Sequence, residues 1–186
     1  MAALYDRGNN SYRVPAQGDL SVMQDKPSFI ARGGIWVLAQ VPVMLLAFII
    51  PLWFGTGHFV PRHPLSMAGA VATALGVLLA IWGLASLDDA LTPFPKPLNG
   101  AALHRQGAYR LMRHPIYTGV MLASLGWALW WLSLIGVLYA LALAIFFDRK
   151  AAYEEIWLRQ KYDKYADYAR VVKKLPLLKS EWLTIE

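Results

Sequence analysis

With 186 residues, the chain is long enough for one domain and short for two. Hydrophobic residues make up 57% and charged ones only 16%, which excludes an ordinary soluble domain and points to lipid. The formal charge of +6 fits basic residues gathered in cytoplasmic loops better than it fits nucleic acid, and without cysteine there are no disulfides, thiolate nucleophiles or zinc–sulfur sites.

Residues 1–34 read as a polar, irregular segment punctuated by Asn9, Asn10, Pro15, Gly18 and Pro27, without the apolar core of a cleavable signal peptide. Residues 35–186 read as a single integral membrane domain. Its first predicted span is 35–54, an uncharged run that at 1.5 Å per residue covers the roughly 30 Å hydrocarbon core. Pro42 lies inside it, where a membrane helix tolerates a proline if neighbours satisfy the freed carbonyl. A short loop with His58, Arg62 and His63 follows; these histidines have no metal-ligand spacing and read as solvated.

The second span, 65–87, is rich in small residues (Gly69, Ala70, Ala72, Ala74, Gly76), which let helix backbones approach closely in lipid. Residues 88–115 form a long connector, stiffened by Pro93, Pro95 and Pro97, and a connector of this length tends to be functional. The apolar run 116–147 is too long for one crossing, since it would reach about 48 Å. Trp130-Trp131-Leu132-Ser133 marks a reversal, which divides it into helices at 116–131 and 134–147. The second helix should continue out of the membrane as far as Val172, with i,i+4 charge pairs Lys150–Glu154 and Glu155–Arg159 and with tyrosines at 162, 165 and 168, a spacing of three that suits anchors of a helix lying in the membrane interface.

The predicted fold is therefore all-α and polytopic: four transmembrane helices with a cytosolic cap made by the 88–115 connector and the C-terminal helix. Four spans place both termini in the cytosol, and of the 18 basic residues Arg62 alone then faces outside.

Chemistry concentrates at the cytosolic ends of the last two spans. Arg113 and His114 precede Pro115, which suits a first helical turn and pushes the preceding residue toward extended geometry. His114 is thus expected just outside a helix that begins near Pro115. Tyr109 and Tyr117 add donors, and Glu154 and Glu155 add paired carboxylates. Without more, Arg105, Arg110 and Arg113 could be headgroup contacts and the glutamates ordinary helix pairs. Adjacent helical residues point about 100° apart, so the two glutamates need different roles. Arg159 engages Glu155 in the favourable orientation, which leaves Glu154 the freer to face a pocket.

The window Gly107-Ala-Tyr109-Arg110-Leu-Met-Arg113-His114-Pro115-Ile-Tyr117-Thr-Gly119 resembles the signature of the isoprenylcysteine carboxyl methyltransferase and phospholipid methyltransferase superfamily. The C-terminal run is similar to that family's second motif: Phe146-Phe147, Glu154-Glu155-Ile-x-Leu158, the tyrosines and Leu175-Pro176. The resemblance implies an integral membrane enzyme that uses S-adenosylmethionine to methylate a lipophilic acceptor drawn from the bilayer, an isoprenoid carboxylate or a lipid amine, with no metal and no nucleic acid. It implies a cofactor pocket built from Tyr109, Arg113, His114, Pro115, Tyr117, Gly119, Glu154 and Glu155. It also implies a catalytic set of Glu154 with a basic residue, and either Arg149 or Lys150 could fill that place. Ala101, Leu103, His104 and Arg105 stand where prenylcysteine enzymes usually carry His-x-Leu-Val-Thr. Two other readings use the same residues: an NADPH-dependent membrane reductase of the sterol-reductase type, which shares an Arg-His-x-x-Tyr-x-Gly element, and a non-catalytic membrane scaffold.

Overall fold

A computed structural model describes residues 4–6, 11–13, 30, 33–56, 63–87 and 103–175. Most of residues 14–32, the loop with His58 and Arg62, the proline-rich run 88–102 and the tail from Pro176 lie outside the described residues, and with them the expectations made for those stretches.

The protein is predominantly helical, and one feature departs from an all-α fold. Strands β1 (Leu4–Asp6) and β2 (Ser11–Arg13) pair antiparallel, with Tyr5 opposite Tyr12. The polar composition of the N-terminus suggested irregular chain, yet each strand centres on a tyrosine, a residue that suits a pleated ribbon, and breakers Gly8, Asn9 and Asn10 separate the two.

Helices α1 (Gly34–Phe54) and α2 (Pro64–Ala85) are long and apolar enough to cross a membrane. Length and composition alone mark only these two among the described residues. Helix α3 runs Pro115–Trp130 and α4 runs Leu134–Lys161. The reversal between them falls at the expected tryptophans: Leu132 takes a positive φ of 51°, and Ser133 caps α4 by accepting from the Gly136 amide at 3.0 Å. The outward faces carry Leu45, Leu78, Leu138 and Ile145 largely exposed, an apolar belt suited to hydrocarbon rather than water.

Small residues join α2 to α3 as an antiparallel pair. A Cβ on Gly76 would stand 2.6 Å from the Gly119 carbonyl, and one on Gly126 would stand 2.7 Å from that of Gly69. Backbone therefore meets backbone at two levels a heptad apart, the close approach that small residues permit where lipid supplies no hydrophobic drive. The core is shared by α1 and α4, where Ala47, Leu143 and Phe147 pack with Met44, Tyr117 and Val120 around them.

The last helix does not run unbroken to Val172. Tyr162 takes extended geometry at the end of α4, and a separate helix α5 (Tyr165–Val171) follows. Helical charge pairing argued for continuity, but tertiary contacts prevail, because the break turns the arm back so that its end reaches Arg113. At the other approach to α3, a 3₁₀ turn (Gly107–Arg110) docks on the end of α2 through Ala108 N–H to Ser86 Oγ at 3.2 Å. Gly107 is required there: its φ is 57°, and a Cβ would lie 2.4 Å from Ser86 Oγ.

Candidate functional site

The ends of α3, α4 and α5 meet in one buried ionic cluster. Pro115 opens α3, as its missing N–H allows, and His114 stands just outside as the cap residue with φ −129° and ψ 64°. Its carbonyl accepts from both the amide and the hydroxyl of Thr118 at 3.0 Å, which fixes the backbone beneath the imidazole.

Arg113 is 6% exposed and its donors are spent inside the protein. Nε donates to Glu155 Oε1 at 2.9 Å and Nη2 to Oε2 at 3.2 Å, a two-pronged pairing. Nη1 donates to the carbonyls of Ala169 and Val172 at 2.7 and 2.8 Å, satisfying the open end of α5. The Arg113 amide adds a bond to the Lys173 carbonyl at 2.9 Å. One residue thus ties three helices together.

Glu155 also takes His114 Nε2 on Oε1 at 3.1 Å. An ionised carboxylate only accepts, so this ring nitrogen carries the hydrogen. Arg159 approaches Oε2 at 3.5 Å, the pairing expected from sequence. Burial alone would raise the Glu155 carboxyl, but the His114 hydrogen bond and charge, followed by Arg113, outweigh it and bring the group down to about 2.

Glu154 differs. Its side chain keeps 26% of its surface exposed against 6% for Glu155, so it is the open member of the pair. Tyr117 donates its hydroxyl to Glu154 Oε2 at 2.8 Å, and the Tyr117 ring stacks on His114 with centroids 5.4 Å apart and planes within 2°. His114 Nδ1 stands 3.9 Å from the same oxygen. The two glutamates diverge as adjacent helical residues must, one into the cluster and one toward its open side.

The two candidate basic residues separate as well. Arg149 is exposed, whereas Lys150 is buried, hydrogen-bonded to Gln40 of α1, with its ammonium 5.2 Å from the Tyr117 ring centroid. Burial pulls the Lys150 ammonium down, against the Glu154 carboxylate that holds it up. Of the remaining predicted residues, Pro115 is fully buried and Gly119 packs on α2, where a Cβ would lie 2.5 Å from the Ala80 amide nitrogen. The Tyr109 carbonyl accepts from the Tyr168 hydroxyl at 2.6 Å. Arg105 and Arg110 are exposed and His104 is half-buried, and none of the three bonds to the cluster described above.

Several contributors are not announced by local sequence. Gln40 is the only amide in the apolar run 35–54, and a lone polar side chain in such a run is itself a signal. The spacing of Tyr165 and Tyr168 suits interfacial anchors, yet both are buried in the protein. Lys174 binds Asp148 through Oδ1 at 2.6 Å and through the carbonyl at 2.9 Å, a pairing no local spacing announces.

An apolar groove lies among α1, α2, α3 and α4. Met44 and Phe48 of α1, Ile81 of α2, Val120 of α3 and Leu143 of α4 line it. Val120 lies three residues from Tyr117 on α3, so the groove begins about one turn from the cluster on that helix.

A family model described as phospholipid methyltransferase matches residues 65–165, just over half of the chain. Sequences from Oryza sativa subsp. indica and from subsp. japonica, each described as a probable protein-S-isoprenylcysteine O-methyltransferase, are each 40% identical over 68 residues. The match covers 36% of this chain and 36% of each rice protein, so the chain spans about a third of the length of these relatives.

Proposed function

Because the chain belongs to the phospholipid methyltransferase family, we propose that it transfers a methyl group from S-adenosylmethionine to a lipophilic acceptor at the cytosolic membrane surface. The observation that carries this reading is the Arg113–Glu155–His114–Tyr117–Glu154 network. It gathers charge at the ends of two apolar helices and leaves one carboxylate, Glu154, the more exposed of the pair.

The donor set fits the cofactor. S-adenosylmethionine supplies an electrophilic methyl group on a sulfonium, together with an ammonium and ribose hydroxyls that carboxylates bind well. Glu154 is placed to make those contacts, oriented by the Tyr117 hydroxyl and the His114 ring stacked beneath it. Arg113 acts by holding Glu155 and α5 in place as one wall of the pocket, and Gly119 and Pro115 keep the start of α3 close to α2 and correctly begun. Between the two basic candidates, burial favours Lys150 over Arg149. Rate enhancement would come from positioning and exclusion of water. A carboxylate acceptor needs no base; an amine acceptor must lose a proton, and Glu154 is then the candidate to take it.

The groove suits the acceptor's hydrocarbon chain. The rice relatives are named for methylation of isoprenylcysteine, and an isoprenoid carboxylate is the acceptor favoured by that likeness. Four crossings with both termini cytosolic remain the proposed topology. It is supported by the basic-residue asymmetry and by a cluster formed at the start of α3 and the emerging part of α4.

Equilibrium binding of S-adenosylhomocysteine and of NADPH to detergent-purified protein tests the reading. Binding of the first alone supports it. Binding of NADPH alone supports the reductase, which the family match does not favour, and binding of neither leaves a scaffold.

A further inference from the structure

Tyr165 and Tyr168 sit one turn apart on α5, with ring centroids 5.9 Å apart and edge to face. Their hydroxyls have different fates. That of Tyr168 donates to the Tyr109 carbonyl at 2.6 Å. That of Tyr165 is enclosed, on a side chain 1% exposed, and has no hydrogen-bond partner among the described residues. A buried hydroxyl left unmatched is costly and is retained where something else repays it, an ordered water or a ligand being the usual answers. Burial, then the neighbouring Glu155 carboxylate, push this hydroxyl well above its ordinary range against the opposing pull of Arg113, so it stays a neutral donor. It is therefore an unspent donor within electrostatic reach of Glu155, Arg113 and Glu154, the cluster already assigned to the cofactor.

We propose that Tyr165 is a cofactor-contact residue whose hydroxyl donates a hydrogen bond to an acceptor atom of an S-adenosyl ligand bound beside Glu154. The proposal rests on the methyl-transfer reading and adds to it a residue from the C-terminal arm. Because the hydroxyl is enclosed, engagement requires α5 to shift. This seven-residue helix is tied down by Arg113 at its end and by Tyr168 along its face. A bound ligand would then hold the arm as well as meet the hydroxyl.

The test uses the full-length protein in detergent and two readouts: the Kd for S-adenosylhomocysteine and the Tm without ligand. Tyr165→Phe removes only the hydroxyl. Its Kd is expected to rise about tenfold, the scale of one hydrogen bond to a ligand, while its Tm stays equal or rises because an unmatched buried group has gone. Tyr168→Phe removes a matched hydroxyl and should lower Tm, which shows that the assay detects a structural bond. The proposal is overturned if Tyr165→Phe binds within twofold of wild type, or if its Tm falls as that of Tyr168→Phe does, which would mark a purely structural hydroxyl, including one held by water. Failure of the wild-type protein itself to bind S-adenosylhomocysteine would overturn the methyl-transfer reading and this proposal together. Normal wild-type binding with an unaffected Tyr165→Phe would overturn the tyrosine alone.

Discussion

Arg113 and Glu155, 42 residues apart in sequence, meet through two hydrogen bonds of 2.9 and 3.2 Å with both side chains almost wholly withdrawn from solvent. Removing one partner of such a pair strands the other charge, which typically costs about 3–5 kcal/mol. Arg113→Ala should therefore unfold the C-terminal arm and lower Tm, in addition to weakening S-adenosylhomocysteine binding. Arg105→Ala, at an exposed position, should do neither. Thermal melts and limited proteolysis of the three proteins check this, and equal losses in both variants would reduce the effect to general charge.

The depressed Glu155 carboxyl sets a pH dependence. The group falls from 4.5 to about 2, so its stabilising contribution is fully present above its unfolded value and is lost as pH drops through the folded value. The amount is on the order of 3 kcal/mol, since one pKa unit is about 1.4 kcal/mol. Tm should fall steeply between about pH 4.5 and 2, and Glu155→Gln should start lower at neutral pH and flatten that limb. A Glu155→Gln profile parallel to wild type would place the acid sensitivity elsewhere.

The glutamates should separate by readout. Glu154 is the more exposed and its hydrogen bond from Tyr117 is a neutral one, so Glu154→Gln should lower Tm less than Glu155→Gln does. It should weaken S-adenosylhomocysteine binding tenfold or more, about 2 kcal/mol for loss of a charge-assisted bond. Glu155→Gln should show the reverse emphasis, with stability the larger loss. Unchanged binding and turnover in Glu154→Gln would return that residue to the surface.

Gly119→Ala tests the helix seam. Its Cβ would lie 2.5 Å from the Ala80 amide nitrogen and 2.6 Å from the Gly76 carbonyl, both backbone atoms that no side-chain rotation can relieve. Overpacking of this kind costs about 1–3 kcal/mol. A melt showing that loss, with S-adenosylhomocysteine affinity retained in the folded fraction, would assign Gly119 to packing. Undiminished stability would show that the seam is looser than the backbone contact requires.

The native chain has no cysteine, so membrane topology can be read by labelling single introduced ones. Arg62→Cys should react with an impermeant reagent from outside the cell and Lys179→Cys only after permeabilisation. Labelling of both from outside, or the opposite pattern, would eliminate the four-crossing arrangement.

Much of the site could be read before the structure because its parts are local in sequence. The Arg113-His114-Pro115 run predicts a residue held at a helix start, and adjacency of Glu154 and Glu155 predicts divergent directions; both arise from helix geometry alone. The reversal at Trp130–Ser133 was legible for the same reason. What could not be read were the contacts that close over long separations: the fork of Arg113 on Glu155, the capture of Val172's carbonyl, and Lys150 reaching Gln40. Those contacts also explain why the helix breaks at Tyr162, where local charge pairing predicted continuity. Burial reversed the tyrosine assignment, since spacing by three on a helix does not say which side faces the protein.

Helix α4 continues without interruption from Leu134 to Lys161, carrying Leu143 on the groove wall and Glu154 at the ionic cluster. Eleven residues separate the two, about 16 Å along a stiff rod. Groove and carboxylate therefore cannot move independently, because a tilt that shifts one end of this lever swings the other. Tilt is the response of an apolar helix to a hydrocarbon layer that does not match its length. A bilayer whose thickness does not match this helix would then alter the geometry at Glu154 without touching it, making the lipid a mechanical input as well as a solvent.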